Sequence, residues 1–219
     1  MSTATMIIGE SGTGKSTSLR NLNPDNTLLI QAVRKPLPFR SAGWKQVSRE
    51  NPNGSIFVTD QAETIIKAMD RTQKPIIVID DFQYVLANAF MRRSAETGFQ
   101  KFTEIARNAW EILMKASELP DHKRVYILTH SQTDETGKTK AKTIGKLLDE
   151  KITIEGLLTI VLRTAVINGQ YLFSTQNSGS DTTKSPIGLF DSEHIDNDLE
   201  LIDRQITEFY GIDQKHATA

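Results

Sequence analysis

The sequence predicts an α/β fold: a single domain with a mostly parallel central sheet flanked by helices, and a C-terminal β-hairpin. Short apolar runs rich in β-branched residues alternate with helical patterns, as in parallel sheets covered by helices. The run at residues 76–79 is apolar throughout, which is typical of a strand buried on both faces. Near the C-terminus, Asn168-Gly169 separates two further runs and favours the tight turn of a hairpin.

Apolar runs predict the strands, and amphipathic patterns predict the helices. The expected strands lie at residues 4–8, 27–30, 55–58, 75–79, 125–128, 158–166 and 170–174. The expected helices lie at residues 17–22, 62–69, 82–118 and 192–210. The polar, lysine-dotted residues 131–143 predict a loop. We therefore expect one domain at residues 1–211 and a frayed tail at residues 212–219.

Composition limits the class of protein. The chain has 219 residues, of which 38% are hydrophobic and 24% charged, as is ordinary for one soluble globular domain. A net charge of −1 means that any nucleic-acid contact must come from a local basic patch or from assembly. Cysteine is absent, which excludes disulfides, thiolate metal sites and cysteine nucleophiles and fits a reducing cytoplasm. No apolar run approaches the length of a membrane span, and we expect no signal peptide and no membrane association.

The strongest functional signal is a glycine-rich loop near the N-terminus. Residues 9–16 read GESGTGKS and match the pattern G-x-x-x-x-G-K-[ST], between an expected strand and a helix-compatible segment. Glycines let backbone N–H groups curl around phosphates, and a following helix N-terminus adds donors and a positive dipole end. Lys15 would reach the β- and γ-phosphates of a nucleoside triphosphate, and the Ser16 hydroxyl would bind Mg²⁺. The expected phosphate-binding residues are Gly9, Glu10, Ser11, Gly12, Thr13, Gly14, Lys15, Ser16 and Thr17.

Two aspartates follow the apolar run at residues 76–79. A strand that ends in a carboxylate is the expected partner of a phosphate loop, because Mg²⁺ bound between phosphates requires acidic oxygen ligands. We assign Asp80 to the magnesium side of the site. Asp81 lies where a carboxylate could orient or deprotonate the attacking water, although it could equally be the N-cap of the following helix.

The next expected strand also ends in polar residues. Thr129 and His130 follow the apolar run at residues 125–128 and could contact the γ-phosphate. For His130 we favour a role as a phosphate sensor over a nucleic-acid contact or a satisfied loop side chain.

Taken together, these segments resemble the short RecA-core ATPases encoded by bacteriophages, a group that includes a superfamily of single-strand annealing proteins. The resemblance covers nearly the whole chain: residues 9–16, 76–81 and 125–130, the lysine-rich stretch and hairpin, and the sequence KSPIGLF at residues 184–190 with the acidic helix after it. It implies a RecA-like P-loop fold, ATP and Mg²⁺ as cofactors, and assembly into a ring or filament. It further implies single-stranded DNA and a single-strand DNA-binding protein as partners, and the cytoplasm of a bacterial host as location.

The chain departs from the RecA pattern at one point. In that pattern a catalytic glutamate follows the second strand, whereas residues 29–36 read LIQAVRKP and contain no carboxylate. Either Asp81 takes over the role of that glutamate, or hydrolysis is slow.

Basic residues in the loops after the fourth and fifth core strands are the candidates for DNA contact, since the resemblance implies that these loops line the DNA path. Such residues neutralise phosphates largely without regard to base sequence. The candidates are Arg92, Arg93, Lys138, Lys140, Lys142 and Lys146. A solvated lysine-rich loop is the alternative interpretation.

Further basic residues could complete a nucleotide site across a subunit interface. Arg34, Lys35 and Arg40 follow the second expected strand, and Arg163 lies near the hairpin. Each of them could equally be a surface ion-pair partner.

The sequence does not determine which biological function the expected nucleotide binding serves. The first hypothesis is a recombination ATPase that assembles on single-stranded DNA and promotes annealing or strand pairing. The alternatives are a P-loop ATPase of DNA packaging or replication, a small-molecule kinase, and a non-hydrolysing protein whose binding is gated by nucleotide.

Overall fold

The computed structural model of the protein describes residues 1–145 and 147–212. The strands are β1 (Thr3–Gly9), β2 (Thr27–Gln31), β3 (Ile56–Val58), β4 (Ile76–Asp80), β5 (Arg124–Thr133), β6 (Thr139–Ala141), β7 (Ile160–Ile167), β8 (Gln170–Ser174) and β9 (His194–Asp196). The α-helices are α1 (Ala62–Arg71), α2 (Gln83–Arg92), α3 (Gln100–Glu118) and α4 (Leu199–Phe209). Short helical turns of other types lie at Ser16–Asn21, Leu147–Lys151 and Ile154–Leu157.

One mixed sheet organises the described part of the chain. Its strand order is β3-β2-β4-β5-β1-β7-β8-β9, with β6 paired to β5. The strands from β3 to β7 along this order run parallel, whereas β6, β8 and β9 are antiparallel to their neighbours. This confirms the α/β class, the mostly parallel sheet and the hairpin. Because β1, β2, β4 and β5 are parallel, their carboxyl ends meet at one edge of the sheet, where ligands commonly bind in such folds.

The sheet is buried on both faces. Along β1, Met6 and Ile8 point to one hydrophobic cluster and Ile7 to the other, as the alternation of strand side chains requires. Helices α1, α2 and α3 cover the first face, and α4 with the turn Ser16–Asn21 covers the second. Every residue of β4 is buried, as the uniformly apolar run at residues 76–79 predicted for this strand.

Two of the expected helices, at residues 82–118 and 192–210, differ from the structure in their bounds. The segment at residues 82–118 forms two helices, because the chain between them turns at Gly98 with φ +86°, and the buried Lys101 donates to the carbonyls of Arg93 and Glu96 at 3.2 and 2.6 Å. The closing helix begins at Leu199 instead of residue 192, since Asp198 caps it by accepting from the Glu200 N–H and β9 occupies the preceding residues.

The prediction of a loop at residues 131–143 was wrong, because this segment contains the end of β5 and all of β6. Strand β5 continues to Thr133 and pairs with β6 in a hairpin. Its turn is held by the Asp134 carboxylate, which accepts from the N–H groups of Thr136 and Lys138 at 2.9 and 3.0 Å, and by Gly137 at φ +83°. Asp-x-x-Gly is a turn signal.

The C-terminal hairpin is confirmed. Asn168 and Gly169 have φ values of +51° and +78°, as a type I′ turn requires at both central positions. Beyond α4, Ile212 packs on the second hydrophobic cluster, and its N–H donates to the Thr207 carbonyl. The expected frayed tail otherwise lies outside the described residues. Within the described chain, no helix has both the length and the apolar character that crossing a membrane requires.

Candidate functional site

The glycine-rich loop leaves β1 at the carboxyl edge of the sheet. Four backbone N–H groups of the loop, those of Ser11, Gly12, Gly14 and Lys15, make no hydrogen bond to the part of the chain that the structure describes. The buried Lys15 side chain lies under the loop, and its amine donates to the carbonyls of Gly9 and Glu10 at 2.9 and 2.7 Å. Burial lowers the pKa of Lys15 to about 8, although Asp81 and Asp80 oppose the shift. The amine therefore keeps its positive charge at pH 7, among backbone donors that can bind an anion.

Two glycines of the loop are required by its conformation and packing. Gly14 has φ +97°, and a Cβ there would lie 3.0 Å from both Asn197 Oδ1 and the Tyr171 ring. A Cβ on Gly9 would lie 1.8 Å from the Thr164 hydroxyl oxygen. The loop is therefore packed against the C-terminal hairpin and the segment before α4.

The segment after the loop is a short 3₁₀ helix, Ser16–Asn21, whereas the sequence indicated a helix at residues 17–22. Serine and threonine form helices weakly, and Asn23-Pro24 ends the segment. We therefore attribute no helix-dipole contribution to phosphate binding to this short turn. Its position is fixed by Arg20 and Asn21, which donate to the Asn197 carbonyl and the Asp198 carboxylate, both at 2.5 Å.

Ser16 and Asp80 are in direct contact. The Ser16 hydroxyl donates to the two oxygens of the Asp80 carboxylate at 3.0 and 2.9 Å. Burial, together with repulsion from Asp81, raises the pKa of Asp80 to about 6. Hydroxyl and carboxylate oxygens are suitable ligands for Mg²⁺. Among the described residues no group of three His, Cys, Asp or Glu side chains could hold a metal, so Mg²⁺ here would take its other ligands from phosphate and water.

Asp81 faces the same pocket and is not a helix cap. Helix α2 begins at Gln83, and no side chain caps it. The Asp81 backbone has φ +61°, a left-handed conformation that aspartate tolerates better than most residues. Its buried carboxylate forms an ion pair with Lys35.

His130 lies next to this pair. It is in register with Gly9 on the neighbouring strand, and its Nε2 is 3.8 Å from Asp81 Oδ1. Its ring stands edge-to-face with Tyr84, with 5.9 Å between centroids. Burial and the positive charge of Lys15 lower the pKa of His130, so the imidazole is neutral at pH 7 and can donate one hydrogen bond. The neighbouring Thr129 hydroxyl is buried without a partner in the described chain.

The glycine-rich loop, Lys35, Asp81 and His130 line one pocket of about 570 Å³. One part of its wall is the loop, with Gly12, Lys15 and Ser16; another is formed by Lys35, Asp81 and His130. Two cations and a carboxylate therefore face a cavity bordered by unpaired backbone N–H groups. Such a cavity suits a polyanion with a bound divalent cation.

The basic residues proposed for DNA contact fall into separate groups. Arg92 pairs with Asp60, and Arg93 pairs with Glu96 and Glu104, each at 2.7 Å. Both arginines are therefore already engaged with carboxylates.

Lys138, Lys140 and Lys142 lie on or beside the β5–β6 hairpin. The Lys142 N–H donates to the His130 carbonyl at 2.7 Å, which connects the hairpin to the pocket. Lys146 lies outside the described residues.

Lys35 lines the pocket of its own chain, whereas the sequence predicted it, with the exposed Arg34 and Arg40, as a candidate for contact across a subunit interface. Arg163 pairs with Asp181 at 3.2 Å. The pocket also includes Tyr84 and Tyr171, which sequence reasoning missed. Tyr171 lies two residues after the hairpin turn, and only the pairing of β7 with β8 brings it to the loop.

The fold and the site define an α/β protein with a glycine-rich, lysine-bearing loop at the carboxyl edge of a mostly parallel sheet. Neither the models of protein families nor the curated proteins include a match to the chain, so these comparisons add no narrower class.

Proposed function

We propose that the chain is a RecA-like, Mg²⁺-dependent ATPase that assembles on single-stranded DNA and promotes annealing or strand pairing. The observation that carries the nucleotide part is the contact between Ser16 and Asp80 beside the loop and Lys15. The Ser16 hydroxyl at the end of the loop lies beside the Asp80 carboxylate at the end of β4. A cation bound to the phosphates would need both oxygen ligands at this position.

In this proposal the chain's own residues position the phosphates and the water. The loop N–H groups and the Lys15 amine bind the β- and γ-phosphates, and the amine exchanges its carbonyl partners for phosphate oxygens. Ser16 and Asp80 would hold Mg²⁺, which would supply positive charge to offset the negative charge on the phosphates. Asp81 accepts the proton of the attacking water, and neutral His130 donates to a phosphate oxygen.

The DNA part rests on the family resemblance and on the β5–β6 hairpin. The hairpin carries Lys138, Lys140 and Lys142, and its hydrogen bond to the His130 carbonyl gives a physical connection to the pocket. A shift of the hairpin on DNA could therefore move His130 relative to the phosphates. Assembly into a ring or filament is part of the proposal through the resemblance alone.

ATP hydrolysis measured with and without single-stranded DNA, across a salt series, tests this function. We expect stimulation by DNA that fades as salt rises, because lysine–phosphate contacts release counterions. Asp81→Asn is the control for turnover and should bind ATP but hydrolyse it slowly. Turnover that does not respond to DNA at any salt concentration would refute the DNA-directed part.

A non-hydrolysing, nucleotide-gated binding protein is a second candidate, and one observation favours it. The carboxylate available for water activation, Asp81, is occupied by Lys35, and residues 29–36 supply no other. ATP binding without turnover, in the presence of saturating DNA, would select this candidate.

A further inference from the structure

Lys35 is held at the pocket by the residues around it. It follows β2, and its carbonyl accepts from the Gln31 side chain at 3.2 Å. Gln31 is buried and pairs in register with Asp80 on β4. Pro36 comes next and restricts the backbone. The root of the Lys35 side chain is therefore fixed by the sheet that carries Asp80.

The amine of Lys35 lies between Asp81 and the open pocket. Its side chain is 40% exposed, whereas that of Asp81 is 4% exposed. Burial lowers the pKa of Lys35, but the contact with Asp81 and the charge of Asp80 outweigh this, so its pKa lies above the ordinary value. The ammonium is thus charged, faces the same cavity as Lys15, and has a flexible stem that lets it change partners.

We propose that Lys35 is a second phosphate-binding cation that acts within its own chain and exchanges Asp81 for the terminal phosphate of a bound nucleoside triphosphate. The inference rests on the proposed nucleotide site. A terminal phosphate carries more negative charge than a carboxylate and presents several acceptor oxygens, so it competes for the ammonium. A nucleoside diphosphate lacks the γ-phosphate, so Lys35 stays paired with Asp81 when a diphosphate is bound. The exchange thereby frees Asp81 beside His130 only when a triphosphate is bound.

This placement distinguishes Lys35 from the other basic candidates. Arg163 is paired with Asp181, and Arg34 and Arg40 do not line the pocket. Lys35 faces the pocket of its own chain, so no neighbouring subunit is needed to supply this cation.

Equilibrium affinities for ATP and ADP, measured with Mg²⁺, test the proposal. We expect Lys35→Ala to weaken ATP binding by about 10- to 100-fold, the value of one charge-assisted contact, and ADP binding by less than about threefold. Lys35→Arg should restore most of the preference for ATP. The matched control is Lys67→Ala, which removes an exposed lysine on α1 and should change neither affinity.

A double-mutant cycle separates the exchange from simple attraction. Asp81→Asn should strengthen ATP binding, because it releases Lys35 from its carboxylate, and this gain should vanish in the Lys35→Ala background. The double variant carries no unpaired charge at this pair. If Lys35→Ala alone folds poorly, the ATP affinity of the double variant compared with that of Asp81→Asn still measures the contribution of Lys35. Equal losses for ATP and ADP, or a gain in Asp81→Asn that persists without Lys35, would overturn the proposal.

A mixing experiment tests the claim that Lys35 acts within its own chain. Lys35→Ala and Lys15→Ala protomers are combined, so that only a neighbour could supply Lys35 to an intact loop. We expect no recovery of ATP preference, and recovery would show action across a subunit interface. If the wild-type protein binds neither nucleotide, the proposed function fails; if it binds ATP and Lys35→Ala leaves the preference unchanged, only this inference fails.

Discussion

At the scale of single residues, the site combines charge with burial in a way that costs folding free energy. Asp80 is fully buried, and its pKa is raised to about 6 by burial and by Asp81 beside it. Its folded-state pKa lies above the ordinary value, so its contribution to stability is fully present below about pH 4 and is lost as the pH rises through about 6. The chain therefore retains an ionised, buried carboxylate at neutral pH, where a divalent cation would compensate it.

Asp80→Asn should stabilise the nucleotide-free protein at pH 7.5. The amide removes the buried charge and can still accept from the Ser16 hydroxyl, so we expect a gain of about 1–3 kcal/mol, given about 1.4 kcal/mol per pKa unit. Urea unfolding at pH 7.5 and at pH 4 measures it, and the gain should shrink at pH 4, where the wild-type carboxyl is protonated. A variant less stable than wild type at pH 7.5 would contradict this account of Asp80.

How far the site could be predicted depends on the range of the interactions. Lys15, Ser16 and Asp80 follow from local patterns, because a phosphate loop and an acidic strand end are each written in consecutive residues. The contact between Lys35 and Asp81 depends on β2 lying beside β4, and Tyr171 reaches the loop only through the hairpin. Strand order is a tertiary property, which single-sequence patterns do not encode.

At the scale of elements, the apolar strands were predictable and the polar ones were not. Strand β4 shows the burial that its sequence predicts, since every residue in it is excluded from water. Strand β6 reads Thr-Lys-Ala and has no apolar alternation, so its pairing with β5 had only the Asp134 turn as a signal. The hairpin that resulted carries the basic residues of the proposed DNA surface.

Removing the three hairpin lysines tests that surface. The variant Lys138→Ala/Lys140→Ala/Lys142→Ala should bind single-stranded DNA more weakly, with a salt slope lower by about 2, since each single-strand phosphate contact contributes about 0.7. Titrations at several salt concentrations give the slope. The charge-matched control is Lys45→Ala/Lys67→Ala/Arg71→Ala, and an equal change in this control would mean that only net charge matters.

Helix α4 is attached to the sheet by a buried ionic cluster. Asp203 accepts from Arg124 at 2.9 and 2.8 Å and from the Tyr126 hydroxyl at 2.7 Å. Because the same helix packs on the segment that follows the phosphate loop, the cluster also helps to hold the site.

Asp203→Ala should be strongly destabilising. It leaves the buried Arg124 guanidinium without its carboxylate, a change that typically costs about 3–5 kcal/mol. Chemical unfolding measures the loss, and Arg204→Ala, at an exposed position on the same helix, is the control that should change little. A loss below about 1 kcal/mol, the value of a surface pair, would contradict the importance of this cluster.

At the scale of the whole molecule, the parallel sheet gathers the functional groups. The carboxyl ends of β1, β2, β4 and β5 bring the phosphate loop, Lys35, the two aspartates and His130 to one edge. The near-neutral net charge of −1 gives no general attraction for nucleic acid, so any DNA binding must come from a local basic patch, such as the proposed hairpin, or from assembly. The central claim is that this edge binds the phosphates of ATP together with Mg²⁺.

The most direct test is the ATP affinity of the wild-type protein and of Lys15→Ala, with Mg²⁺ and with EDTA. We expect Lys15→Ala to lose at least about 100-fold in affinity with its fold intact, because the amine is the main charge partner of the phosphates. EDTA should weaken binding to the wild-type protein, since Ser16 and Asp80 act through the cation. Normal ATP affinity in Lys15→Ala, at unchanged thermal stability, would contradict the assignment of residues 9–16 as a phosphate-binding loop.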